Sequence, residues 1–145
     1  MKEKEVMCLA TGKTYDLVLE TGVTAHPAIR PYPSFTPMYV APIKKGGTIE
    51  FVYPIPTQIE CLPDELYLWK EDLEAVGHWE RIMAYHQQRK ETFGYSKTNT
   101  EYRFYVFGKP IPVAQPFVQK GVQIAKRLDI EDIPLGNGSE RCGTV

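Results

Sequence analysis

Apolar and polar positions along this chain follow two rhythms, and each predicts an element. Residues 6–19 open with Val6, Met7 and Leu9, meet a turn at Gly12 and Lys13, and resume as Tyr15, Leu17 and Leu19. That period of two predicts a hairpin. Residues 38–43 and 48–55 are apolar, β-branched and aromatic runs joined by Lys44, Lys45, Gly46 and Gly47, which predicts a second hairpin with a tight glycine turn at the centre of a sheet. Within it, Ile49, Phe51, Val52 and Tyr53 leave Glu50 as the one polar position, so a strand covered on both sides is expected, with Phe51 and Tyr53 facing one way and Val52 the other. Pro54 and Pro56 end or bend that strand. Residues 101–107 form a third sheet element, with Tyr102, Phe104 and Val106 on one face and Glu101, Arg103, Tyr105 and Phe107 on the other.

The helical rhythm occupies residues 63–90. Pro63 is favoured at a first helical position, and Asp64 and Glu65 suit the positive end of the helix dipole. Leu66, Trp69, Leu73, Val76, Trp79, Met83 and His86 then form one apolar stripe, predicted to pack on the sheet with the tryptophans as core anchors. Gly77 leaves two forms open, one long helix or two shorter ones. Between 25 and 37, Pro27, Pro31, Pro33 and Pro37 exclude a helix and predict an extended surface segment. It reads as a loop packing Tyr32 and Phe35 on its own domain, with a partner-docking arm as the alternative. Residues 117–135 are too irregular to assign an element.

Length and composition narrow the class. A chain of 145 residues with 43% hydrophobic and 24% charged residues predicts one globular domain, 1–135, followed by a mobile tail, 136–145. The net charge of −1 supplies no overall field for nucleic acid or acidic membrane. Residues 1–5 carry charges of both signs without an apolar segment behind them, which predicts a cytoplasmic protein with no signal peptide and no membrane span. Cys8 and Cys61 read as core fillers and Cys142 as an exposed tail residue, not as a disulfide framework or zinc knuckle.

Few motifs carry chemistry. Gly12, Lys13 and Thr14 copy the end of a phosphate-binding loop, but the glycine required five positions earlier is Met7. His78 and His86 stand eight residues apart, about 12 Å of helical rise, too far for one ion. His26 sits among prolines with no visible partner. Neither a metal nor a cofactor is expected. Glu50 and Arg103 stand out as charges within apolar strands, where each must find a partner, face water or line a polar pocket. A solvent-facing edge position satisfies both. The alternative is an aromatic pocket built from Tyr39, Glu50, Tyr53, Arg103 and Tyr105, suited to a flat hydrogen-bonding ligand such as a nucleobase.

The segment order Tyr39-Val40-Ala41-Pro42-Ile43, then Ile49 to Ile55, then after a helical insertion Tyr102-Arg103-Phe104-Tyr105-Val106 leading to Ile111-Pro112-Val113, resembles the small β-barrels of the PUA-like superfamily, which includes EVE and ASCH domains. The resemblance covers residues 38–116. It implies an α+β fold, a small twisted sheet or open barrel with the insertion at 63–90. It also implies binding of RNA or modified bases, in some members within antiphage or restriction systems. The expected function is therefore a non-enzymatic module recognising a nucleobase or nucleotide, with backbone contacts from Lys44, Lys45, Arg89, Lys90 and Lys97. Two other classes stay open: a protein-interaction subunit using the 27–37 arm, and a small enzyme with Glu50 as general base and Arg103 as anion holder.

Overall fold

A computed structural model describes residues 5–95, 99–115 and 117–136. Lys97, Cys142 and all of the predicted tail except Gly136 lie outside them. The strands are β1 (Glu5–Ala10), β2 (Val23–Pro27), β3 (Tyr39–Ile43), β4 (Phe51–Pro54), β5 (Thr57–Cys61), β6 (Tyr102–Val106), β7 (Ile111–Pro112) and β8 (Ala125–Asp129). Among the described residues they form two sheets, β7-β4-β3-β1-β8 and β2-β6-β5. The architecture is α+β with open, twisted sheets and few helices, as the segment order predicts.

Strand alternation explains the larger sheet. Met7 and Leu9 of β1, Val40 of β3, and Phe51 and Tyr53 of β4 face the main core, while Val6, Cys8, Ala41, Ile43 and Val52 face a second, smaller core. Val52 is completely buried, on the opposite face from its neighbours, as its alternation requires. The 44–47 turn closes with Gly47 N–H donating to the Lys44 carbonyl at 2.8 Å, and both glycines sit at φ 98°, a conformation costly for other residues. The hairpin thus supplies the central strand, β3, and its neighbour β4. β1 flanks β3 on the other side, parallel to it and antiparallel to β8.

That placement corrects the reading of residues 6–19. After β1 the chain makes a 3-10 turn at Gly12–Thr14 and then helix α1 (Tyr15–Thr21), not a return strand. Tyr15 and Val18, three apart, are buried together with Leu17, so an apolar run with an extra residue between its alternate positions serves a helix face. Gly22, at φ 71°, ends the helix in the left-handed conformation that favours glycine. Arg81 completes the cap, donating to the carbonyls of Thr21 (3.2 Å), Gly22 (3.0 Å) and Phe107 (2.7 Å). A Cβ at Gly22 would also displace the Arg81 guanidinium from this cap, while the left-handed backbone by itself favours glycine.

The insertion is a 3-10 helix (Pro63–Trp69) running into α2 (Lys70–Ala75), then α3 (Trp79–Thr92), with Gly77 at φ 77° between α2 and α3. The one-helix form is excluded. Leu66, Leu73 and His86 are buried as the stripe predicts, and Trp69, Trp79 and Met83 pack partly against the core. Val76 is 57% exposed, because it caps α2 where the backbone has left helical geometry; Ile82 and Tyr85 fill the core from α3. Cys8 and Cys61 are buried free thiols, with Cys8 pushed up by desolvation to about 12. No helix among the described residues is long and apolar enough to cross a membrane.

Candidate functional site

The smaller sheet has one apolar and one polar face. Its register aligns Thr24, Tyr105 and Gln58 in one row and His26, Arg103 and Glu60 in the next. Alternation puts these six side chains on the same face, away from Ala25, Phe104 and Ile59. His26 therefore does have a partner, correcting the view of it as a lone residue among prolines. It belongs to β2, is 2% exposed, and bonds through both ring nitrogens: Nδ1 to the Pro27 carbonyl at 2.8 Å and Nε2 to the Tyr105 hydroxyl at 2.9 Å.

A carbonyl only accepts, so Nδ1 carries the proton. In the neutral imidazole Nε2 then accepts from the Tyr105 hydroxyl. Arg103 hydrogen-bonds Tyr105 in turn, and its Nε donates to Glu60 Oε1 at 3.1 Å. The result is a row from half-exposed Glu60 to buried His26, in which Arg103 donates to both sides and Tyr105 donates to the imidazole. Burial, followed by the Arg103 charge, lowers the His26 pKa, while burial raises Tyr105 to about 12. Both are neutral near pH 7. Gln58 Oε1 beside them is a buried side-chain oxygen with no hydrogen-bond partner among the described residues.

Thr24 and His26 form one wall of a cleft of about 170 Å³. Thr11 and Thr14 from the turn after β1, Tyr32 from the proline segment, Arg89 from α3 and Gln123 complete the polar lining. The Tyr32 ring lies parallel to the His26 imidazole, 6° between planes and 5.7 Å between centroids. Arg89 is held rigidly. Its Nε donates to the Gly94 carbonyl (3.2 Å) and Nη1 to the Ala25 carbonyl (3.2 Å) and Tyr85 hydroxyl (2.8 Å), and its guanidinium lies 4.6 Å from the Tyr95 ring centroid. Nη2 takes no part in these bonds. A second compartment of about 420 Å³ continues past Thr11, Thr14 and Arg89 and adds Lys13 and Tyr95.

The five residues singled out in the sequence do not converge. Arg103 and Tyr105 belong to the polar face behind the cleft. Glu50 stands at the larger sheet, accepting from the Tyr15 hydroxyl at 2.5 Å and pairing with Lys44 at 3.4 Å, and the Tyr15 bond is the main cause of its lowered pKa. Tyr53 is buried and stacked on Phe107 with centroids 4.4 Å apart. Tyr39 packs on the second core, across the sheet. Glu50 and Arg103 thus have separate partners, and the aromatic residue at the cleft is Tyr32.

Of the cations expected to contact a backbone, Arg89 lines the cleft, Lys44 is paired with Glu50, and Lys90 reaches Asp64 at 3.5 Å. His26, Tyr32 and Arg89 were not legible as a site. The alternation Val23, Thr24, Ala25, His26 was the available signal, masked by the prolines that follow it. His78 and His86 have separate partners, the hydroxyls of Thr57 and Tyr95. Among the described residues no cluster of three or more His, Cys, Asp or Glu is placed to hold a metal ion.

No family model matches this sequence, and no curated protein does. Solved structures share its fold. ASCH from Zymomonas mobilis matches with a TM-score of 0.55 at 12% identity, over 90% of this chain and 91% of that one. A serine-to-alanine mutant of ZmASCH gives 0.55 at 12% over 91% and 94%, and a tyrosine-to-phenylalanine mutant 0.54 at 11% over 88% and 92%. The fold is of the ASCH/PUA-like kind.

Proposed function

We propose that the cleft between β1 and β2 recognises a nucleobase, free or within a nucleotide, and that the protein is a binding module. The observation that carries this reading is the parallel His26–Tyr32 pair at a cleft whose other polar side chains are Thr11, Thr14, Thr24, Gln123 and the fixed Arg89 guanidinium. Stacked rings beside a guanidinium donor and the Thr11 and Thr14 hydroxyls, whose protons go to the Ile43 and Thr11 carbonyls and whose oxygens accept, suit a flat heterocycle with both acceptor and donor atoms on its edge. The volume of about 170 Å³ is below the roughly 300–1,000 Å³ of sites for drug-sized ligands, so one ring system fits and a larger molecule must extend outward. The compartment with Lys13 is one direction available to it. Both nitrogens of His26 are engaged by Pro27 and Tyr105, an arrangement that fixes a wall in place and leaves no free lone pair for general-base work.

Isothermal titration against a panel of nucleosides tests the reading. Tyr32→Ala should weaken the best ligand by about 5- to 150-fold, the range for losing one base–aromatic stack. Tyr67→Ala, at a position 64% exposed and outside the cleft, should leave affinity unchanged. A wild-type protein that binds no nucleoside overturns the proposal.

A further inference from the structure

On the other side of the turn after β1, a cavity of about 350 Å³ lies between loops 44–47 and 119–121. We infer that this cavity binds a phosphate group, and that its natural occupant is the phosphate of a nucleotide whose base fills the neighbouring cleft. The second half of this statement rests on the base-binding reading; the first does not.

The two loops are laced together. Gln119 N–H donates to the Gly47 carbonyl at 2.8 Å, and Thr48 and Val118 form a β-bridge. A Cβ at Gly47 would come within 3.1 Å of the Gln119 carbonyl oxygen, so glycine is needed for the loops to close. Three lysines line the cavity, Lys44, Lys45 and Lys120, and none of its lining residues is acidic. In a chain with 17 basic and 18 acidic residues, that is a local concentration of one sign. Lys44 is steadied by Glu50 at 3.4 Å and by the Tyr15 ring at 5.9 Å, whereas Lys45 and Lys120 form no ion pair among the described residues.

The backbone adds donors. The N–H groups of Lys45, Gly46, Lys120 and Gly121 have no hydrogen-bond partner among the described residues, and Gly46 and Gly121 line the cavity with open space where a side chain would stand. Backbone N–H groups beside unobstructed glycines, with ammonium groups around them, form an environment that favours an oxyanion. Ala10 lines both this cavity and the cleft, so the two are neighbours.

The test uses the full chain and its Lys45→Ala/Lys120→Ala variant, both positions being exposed. Inorganic pyrophosphate is titrated while backbone amide shifts are followed by NMR, and nucleoside and nucleoside triphosphate affinities are compared by calorimetry. Pyrophosphate should move the amides of Lys45, Gly46, Lys120 and Gly121 in the wild type and not in the variant. The triphosphate should bind at least about tenfold more tightly than the nucleoside, an advantage lost in the variant and eroded by salt. Unmoved amides overturn the phosphate site. Nucleoside binding with no gain from phosphate overturns the shared ligand. Pyrophosphate binding without any nucleoside binding upholds the phosphate site and sinks the base reading instead.

Discussion

The two sheets divide the work of the molecule. In the larger one, β1 and β3 are buried on both faces between two apolar clusters, and the side chains of Val6, Met7, Cys8, Val40, Ala41 and Val52 are completely covered. In the smaller one, Ala25, Phe104 and Ile59 meet the core on one face, while the other carries Thr24, His26, Arg103, Tyr105, Gln58 and Glu60. A sheet with two dry faces contributes stability and tolerates no polar atom. A sheet with one dry face can hold a polar network at the cost of satisfying it, and here that network forms the wall of the cleft.

The sharpest break of this contrast is a charge placed in the larger sheet. Val52→Asp puts a carboxylate into the second core, where Val6, Ala41, Ile43, Ile49 and Ile133 offer it no hydrogen bond through their side chains and Cys8 has only a weak S–H donor. The cost should exceed about 4–5 kcal/mol, a large share of the roughly 5–15 kcal/mol that holds a domain together. Circular dichroism should show no cooperative melt. A melt like that of the wild type would mean that this face is not a core.

Next in size is the dry face of the smaller sheet. Phe104→Ala removes a fully buried ring at the middle of β6 and should cost about 3–5 kcal/mol in denaturant unfolding. A loss under about 1 kcal/mol would show that the main core does not depend on the smaller sheet.

Sequence legibility follows the same division. The 38–55 hairpin and β6 were readable because dry strands are written as dense β-branched and aromatic runs, and the break at Gly77 because glycine punctuates a helix. β8 was not readable: at the sheet edge it needs only Leu128 and Ala125 against apolar neighbours, and Lys126 and Arg127 between them look like loop. α1 was misread as a strand because Tyr15, Leu17 and Leu19 keep a period of two, and only Val18 and Gly22 speak for a helix. Arg103 and Tyr105 were visible as polar groups in an apolar strand. Glu50 gave the same signal for a different reason, since it precedes β4 and meets the Tyr15 hydroxyl at its own sheet. Bringing Tyr32 to His26 depends on the path of the 28–38 loop, which no local pattern records.

The polar face should respond more mildly. Tyr105→Phe keeps the ring in the core but deprives His26 Nε2 of its donor and Arg103 of one acceptor. The expected cost is about 1–3 kcal/mol, set by the unsatisfied imidazole nitrogen. Loss of more than the Phe104→Ala variant would erase the distinction between the two faces.

The pH dependence isolates the histidine itself. His26 has a folded-state pKa below its ordinary value of 6.5, so the unfolded chain binds more protons as pH falls through that value. Stability should be flat above about pH 7 and decline from about 6.5 downward until the folded protein also takes up the proton. His78 and His86 are lowered too, so they add to the same slope. His26→Gln should reduce the decline without abolishing it. An unchanged slope would show that His26 has the same pKa in the folded and unfolded chains.

The smallest effect is expected at the solvent end of the chain, where Glu60 meets Arg103. The Glu60 side chain is 43% exposed and that of Arg103 14%, so the ion pair is well screened, and Glu60→Gln should change stability by no more than about 1 kcal/mol. Its consequence lies elsewhere. The Glu60 charge favours protonated His26 and the Arg103 charge disfavours it, so removing the carboxylate leaves the guanidinium unopposed. The His26 pKa should fall further in Glu60→Gln, and a ring-proton NMR titration reads this directly. The stability decline below pH 6.5 should then extend to lower pH than in the wild type, because the folded protein resists the proton longer. If the His26 titration is unmoved while stability drops by several kcal/mol, Glu60 is a structural clamp on β5 and β6, and the polar row is not a connected network.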